Sequence, residues 1–95
     1  RVVAAAAPCL ADLEEGVRRA AIEAIAAQGS EDGRDPLWLA LKSPREESTR
    51  IRGRIAELFQ QLHWPVEDDP WFAGHVPGGY AIASAESAKF LVAAR

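Results

Sequence analysis

Pro65 sets the strongest limit on how this chain folds. It follows a run in which Ile51, Ile55, Leu58 and Leu62 recur at intervals of three and four residues, the spacing that lines one face of an α-helix. With Ile51 at zero and a step of ~100° per residue, the other three fall within about 40° of it, and Phe59 borders them. Proline cannot continue a helix and pushes the residue before it to extended backbone. The helix expected over 46–63 therefore ends ahead of it. Beyond it, Val66 to Trp71 or Phe72 reads as one strand and Tyr80 to Ala83 as another, around a loop containing Gly74, Pro77, Gly78 and Gly79. A helix running into a hairpin over 64–83 is the expected result.

The earlier residues read as two more helices. Leu13, Val17, Ala20, Ala21, Ala24 and Ile25 form a 3.6-residue stripe, placing a helix over 10–29. Asp12 serves as its N-cap, Glu15 completes a capping-box-like start, and Gly29 ends it. A short helix over 36–43 starts with Asp35 as cap and Pro36 in first position, and closes at Pro44. The C-terminal stretch 84–95 reads as a last helix, with Ser84 as cap ahead of Lys89, Phe90, Leu91 and Val92. The fold class is mainly α with a small β hairpin (α+β), in the order α-α-α-β-β-α. Residues 1–95 make one domain, since a chain this short buries a single core. That core is expected to gather Val17, Ala21, Ile25, Leu41, Ile51, Ile55, Leu58, Leu62 and Tyr80.

Composition excludes some classes. At 48% hydrophobic and 26% charged, the chain is an ordinary globular one, with no apolar run near the roughly 20 residues that cross a bilayer. The Ala-rich opening, Val2 to Ala7, reads as helix or a frayed terminus, not as a signal peptide. Cys9 is the only cysteine, so neither an internal disulfide nor a cysteine zinc site forms, and a reducing, cytoplasmic setting is expected. His63, His75, Asp68 and Asp69 match no metal-ligand spacing and read as turn residues. Ser48, Ser84 and Ser87 lack an evident histidine partner. Gly78-Gly79 precedes a strand, whereas a phosphate loop precedes a helix. The expectation is a non-enzyme with no cofactor, no metal and no membrane partner.

The segment from about residue 47 to 95 resembles the winged helix-turn-helix domains of bacterial and phage regulators. The resemblance rests on Leu62-His63-Trp64-Pro65-Val66 at the end of the recognition helix, Gly79-Tyr80-Ala81-Ile82-Ala83 at the end of the wing, and Ser84-Ala85-Glu86 after it. His63-Trp64 stand where a small turn residue is usual, and the wing loop is longer and more acidic than most. A second resemblance is to HEAT repeats. Val17-Arg18 and Ile51-Arg52 lie 34 residues apart, near the period of such arrays, and this alternative implies an all-α helical repeat.

The winged-helix resemblance implies a double-stranded DNA partner and a role in transcription control or in a phage or mobile-element protein. Net charge is −3, yet between Arg34 and Arg54 six basic residues stand against three acidic ones. The candidate DNA-contacting set is Lys42, Arg45, Thr49, Arg50, Arg52, Gly53 and Arg54, with His75 from the wing. Arg50 is placed to read guanine edges, Arg52 and Arg54 to meet phosphates on either side. Gly53 costs about 1 kcal/mol in mid-helix relative to alanine, which close approach to a nucleic acid or packing against another helix would explain. Ion pairs Arg50–Glu46, Arg50–Glu57 and Arg54–Glu57 are the competing use of that face. Weak binding by one copy is expected, so a homodimer or a larger parent chain enters the reading. The rival function is a protein–protein interaction module, either a HEAT-type fragment or an acidic winged helix. Its contact patch would be Trp64, Trp71 and Phe72, unless these close the core.

Overall fold

A computed structural model describes residues 2–94, and the helix ahead of Pro65 organises it. This helix, α4 (Thr49–Gln61), opens where the Ser48 hydroxyl accepts the Ile51 N–H at 3.2 Å, a side-chain cap for one of the first turn's free donors. Its apolar stripe, Ile51, Ile55, Ala56, Leu58 and Phe59, is buried. The helix ends as a Schellman motif. His63 takes a left-handed conformation (φ 56°), its N–H donates to the Gln60 carbonyl, and the Trp64 N–H donates to the Phe59 carbonyl at 3.0 Å. The Trp64 ring then meets Phe59 edge-on at 5.4 Å, the apolar contact that accompanies such an ending. His63 thus stands in the place glycine usually takes and stacks on Phe90 at 4.3 Å.

Ahead of α4 lie α1 (Val2–Ala6), a 3-10 turn (Ala7–Ala11), α2 (Glu15–Gln28) and α3 (Arg34–Leu41). The first stripe helix starts later than expected, and Asp12 is not its cap. The Asp12 carboxylate accepts the Glu14 N–H, and the Arg18 guanidinium takes the Asp12 and Leu13 carbonyls at 2.9 and 3.2 Å. These bonds hold residues 12–14 off helical geometry and leave Leu13, expected in the stripe, 97% exposed. Nor does Asp35 cap α3, which begins at Arg34 with Gly33 before it. Gly33 is required by close approach: a Cβ there would sit 2.5 Å from Ile25 Cγ2.

The last third departs most from the expected order. Only Pro65–Val66 (β1) of residues 66–72 and their neighbours is strand; Pro70–Ala73 is a one-turn helix, α5, because the Asp69 carboxylate caps the Phe72 N–H at 2.9 Å. The expected C-terminal helix is half of a hairpin instead, formed by β2 (Tyr80–Ala85) and β3 (Ala88–Ala93). Glu86 and Ser87 both have positive φ (54° and 55°), the geometry of a type I′ two-residue turn. A strand buries Leu91 alone of the run Phe90-Leu91-Val92, with its neighbours on the opposite face. The sheet is antiparallel in the order β1-β3-β2, with Ile82 opposite Leu91 and Pro65 opposite Phe90. The expected pairing of 66–72 with 79–83 is therefore absent, since β3 lies between them. The fold is mixed helix and antiparallel sheet, and the sheet rules out the all-α repeat.

One cluster joins Ile22, Ile25, Leu37, Trp38, Leu41, Ile51, Ile55, Phe59, Trp64, Val66, Phe72 and Leu91. Of the expected core, Ala21, Ile25, Leu41, Ile51, Ile55 and Leu58 are buried, while Val17, Leu62 and Tyr80 are half-buried. Arg34 fastens α3 to β1, donating to the Pro65 carbonyl at 3.0 and 3.1 Å and to Glu67 at 2.8 Å. No described helix is long and apolar enough to cross a membrane.

Candidate functional surfaces

The residues chosen for DNA contact occupy three different settings. Arg54 is committed internally: its guanidinium grips both carboxylate oxygens of Glu23 on α2 at 2.8 and 2.9 Å and donates to Glu57 at 2.9 Å. These hydrogen bonds hold the Glu23 carboxyl below its ordinary range and raise Arg54 further. Arg52 is also structural. It donates to the Leu41 carbonyl at 3.0 Å and lies 5.3 Å over the Trp71 ring, and burial lowers its pKa, opposed by the Glu46 charge. Neither guanidinium is aimed outward as phosphate contact requires, because residues one step to either side of an exposed helix face turn toward the neighbouring elements.

Lys42 sits 3.9 Å from Asp69 and over Trp38. His75 is on the loop after α5, not on the hairpin. It stacks on Trp71 at 4.2 Å, and its Nδ1–H donates to the Trp71 carbonyl at 2.7 Å. Arg50, Thr49, Gly53 and Arg45 remain available. The Arg50 side chain is 77% exposed, although it donates to Glu15 at 3.1 Å and so lowers that carboxyl's pKa. Thr49 is exposed at the start of α4, and a Cβ on Gly53 would meet nothing within 4 Å. Helix packing therefore gives no reason for this glycine. Arg45 is exposed, and its guanidinium has no partner among the described residues.

Of the three expected ion pairs on this face, Arg54–Glu57 forms, while Arg50 turns to Glu15. Glu46, expected on the exposed face, is 8% exposed and sits before α4. It holds Arg18 through two hydrogen bonds (2.7 and 3.1 Å) and accepts the Ser48 N–H. It thereby pins the α3–α4 turn to α2. The aromatic patch is likewise dismantled: Trp64 and Phe72 are buried, which leaves Trp71 alone of the three even half-open.

The structure also presents a surface outside the expected sites. Between the Ala7–Ala11 turn, residues 12–13 and α3 runs a groove of about 640 Å³. Pro8, Leu10, Leu13, Pro36 and Leu39 supply its apolar walls, and Leu39 is 61% exposed. Leu37 and Leu41 point inward from α3, and Leu39, two residues from each and about 200° round the helix, points out. The other charged groups along the groove have partners: Arg18 with Glu46, Asp35 with Arg34, and the Asp12 carboxylate with the Glu14 N–H. Arg45 stands at the rim without one. The α3 pattern was the available signal, for Leu39 cannot share a face with its neighbouring leucines. No known protein family, characterised protein or solved structure matches this chain.

Proposed function

We propose that this chain is a non-catalytic protein-interaction module, built on a helical scaffold closed by a small three-stranded antiparallel sheet. The reading rests on one observation. Among the described residues, Leu13 and Leu39 stand exposed at the lip of an open apolar groove, with the unpaired Arg45 guanidinium on its rim. A contiguous apolar surface with a polar rim is the form a protein contact site takes. Arg45 favours a partner segment with a carboxylate next to its apolar anchors. The side chains that chemistry would recruit have structural tasks here: His63 and His75 are stacked on aromatic rings, and Ser48 caps α4.

Selection of short peptides from a random display library against the intact chain tests this. The expected peptides carry two large apolar residues and an acidic one, and bind at least about tenfold more weakly to Leu39→Asp. Arg45→Glu should shift selection toward basic residues. Peptides that bind both variants as well as the parent would refute the groove as the site.

DNA binding is the second reading, favoured by Gly53, whose surroundings supply no internal reason for it, beside Thr49 and the exposed Arg50. Only the N-terminal end of α4 with Arg45 and Arg50 would enter a groove, since Arg52 and Arg54 are engaged. Titration of mixed-sequence duplex at about 50 mM salt decides it: loss of all binding in an Arg45→Ala, Arg50→Ala double variant supports DNA, and no binding at any protein concentration removes it.

A further inference from the structure

Strand β2 lies at the edge of the sheet and has none of the usual guards against pairing. Its sequence, Tyr80-Ala81-Ile82-Ala83-Ser84-Ala85, contains no charge, no proline and no bulge, whereas edge strands commonly carry such features to stay single. The register fixes which backbone groups are free. The two-residue turn makes Ala85 and Ala88 a hydrogen-bonded pair, and the Ala94 N–H donates to the Gly79 carbonyl at 2.8 Å, so residues 79, 81, 83 and 85 bond to β3. Residues 80, 82 and 84 face outward. The Tyr80 N–H is satisfied by the Pro77 carbonyl. The Tyr80 carbonyl and both backbone groups of Ile82 and Ser84 have no strand to bond.

We propose that this edge pairs with the same edge of a second copy of the chain, antiparallel about a twofold axis at Ile82, to give a continuous six-stranded sheet. Self-complementarity singles out this occupant. Two Ile82 residues exchange two hydrogen bonds, and each Ser84 N–H donates to the Tyr80 carbonyl of the other copy. The one pair of this register that cannot form, from the Tyr80 N–H, is the one already satisfied within each copy. Glu86 at the hairpin tip falls opposite Gly78 of the other copy, so no like charges meet although the chain carries −3 overall. On the outer face the cross-strand pairs are Ala81–Val92, Ala83–Phe90 and Ala85–Ala88. Pairing joins these two apolar faces into one, a surface that neither hairpin provides alone.

Sedimentation of the intact chain over a concentration series up to the order of 100 μM, where weak interfaces populate, tests the proposal. The mass should rise from 10.3 kDa toward twice that value. Ser84→Lys should suppress the rise by giving the edge the charge it lacks, and because Ser84 is exposed its replacement leaves the β2–β3 bonds intact. Ser84→Pro should do the same by removing an outward N–H, and Ser84→Lys decides alone if the proline variant fails to fold. A wild-type mass that stays monomeric, or a dimer undiminished in Ser84→Lys, overturns the proposal. Loss of the dimer in Leu39→Asp but not Ser84→Lys also overturns it, by assigning association to the groove.

Discussion

Gly53→Ala separates the structural account of α4 from its functional use. The glycine sits in the interior of a 13-residue helix, where it costs about 1 kcal/mol relative to alanine through backbone entropy. A Cβ built there meets no atom within 4 Å, so nothing offsets the gain by overpacking. The substitution should stabilise the domain by about 1 kcal/mol, which for a chain this size is a rise in Tm of about 4–8 °C. In urea, followed by tryptophan fluorescence, the midpoint should rise by about 0.5–1 M with an unchanged slope. Loss of stability would refute the reasoning, because it would mean that this face of α4 packs against something. A stabilised variant that no longer binds duplex would give the glycine a reason in the DNA reading. One that binds as before would leave it a tolerated cost.

Glu46→Gln should destabilise by up to about 3 kcal/mol, the lower end for breaking a buried pair, since Arg18 loses its carboxylate partner and keeps only the Asp12 and Leu13 carbonyls; a change below about 1 kcal/mol in chemical unfolding would show that the turn is held otherwise. Replacing Glu86-Ser87 by Asn-Gly should add about 1–2 kcal/mol, because the left-handed pair is then made of residues that adopt it readily. The same change would destabilise a helix over 84–95, so the sign of the effect discriminates. On acidification, stability should fall. The Glu23 and Glu15 carboxyls are held below their ordinary 4.5 in the fold by Arg54 and Arg50, so their contribution is present above that value and lost as pH drops through the folded pKa. Glu23→Gln should flatten this acid limb in a pH series of thermal melts, and an unchanged limb would refute the assignment.

Local chemistry in the sequence determined the two longest helices, their inward stripes and the stop before Pro65, because helical periodicity and proline geometry act over a few residues. It did not determine the last third. Ser84-Ala85-Glu86-Ser87 looks like a helix start, and no Asn-Gly marks the turn; the strand wins because pairing with β1 and β2 buries Leu91 against α4, a gain that only distant residues supply. The same limit applies to the surfaces. Arg50, Arg52 and Arg54 are the same residue type at alternate positions of one helix, with Arg52 about 200° round the wheel from the other two. Whether each meets a carboxylate, a carbonyl or solvent depended on where α2, α3 and α5 came to rest. Leu13 reads as part of the α2 stripe, yet Arg18 holds residues 12–14 out of that helix, and Leu39 faces away from Leu37 and Leu41. The edge of β2 was equally hidden, since β3, the last strand in sequence, takes the centre of the sheet. Periodicity states that a residue has an apolar or charged neighbourhood to fill; only tertiary packing decides which neighbour fills it, because burial is shared among elements far apart in the chain.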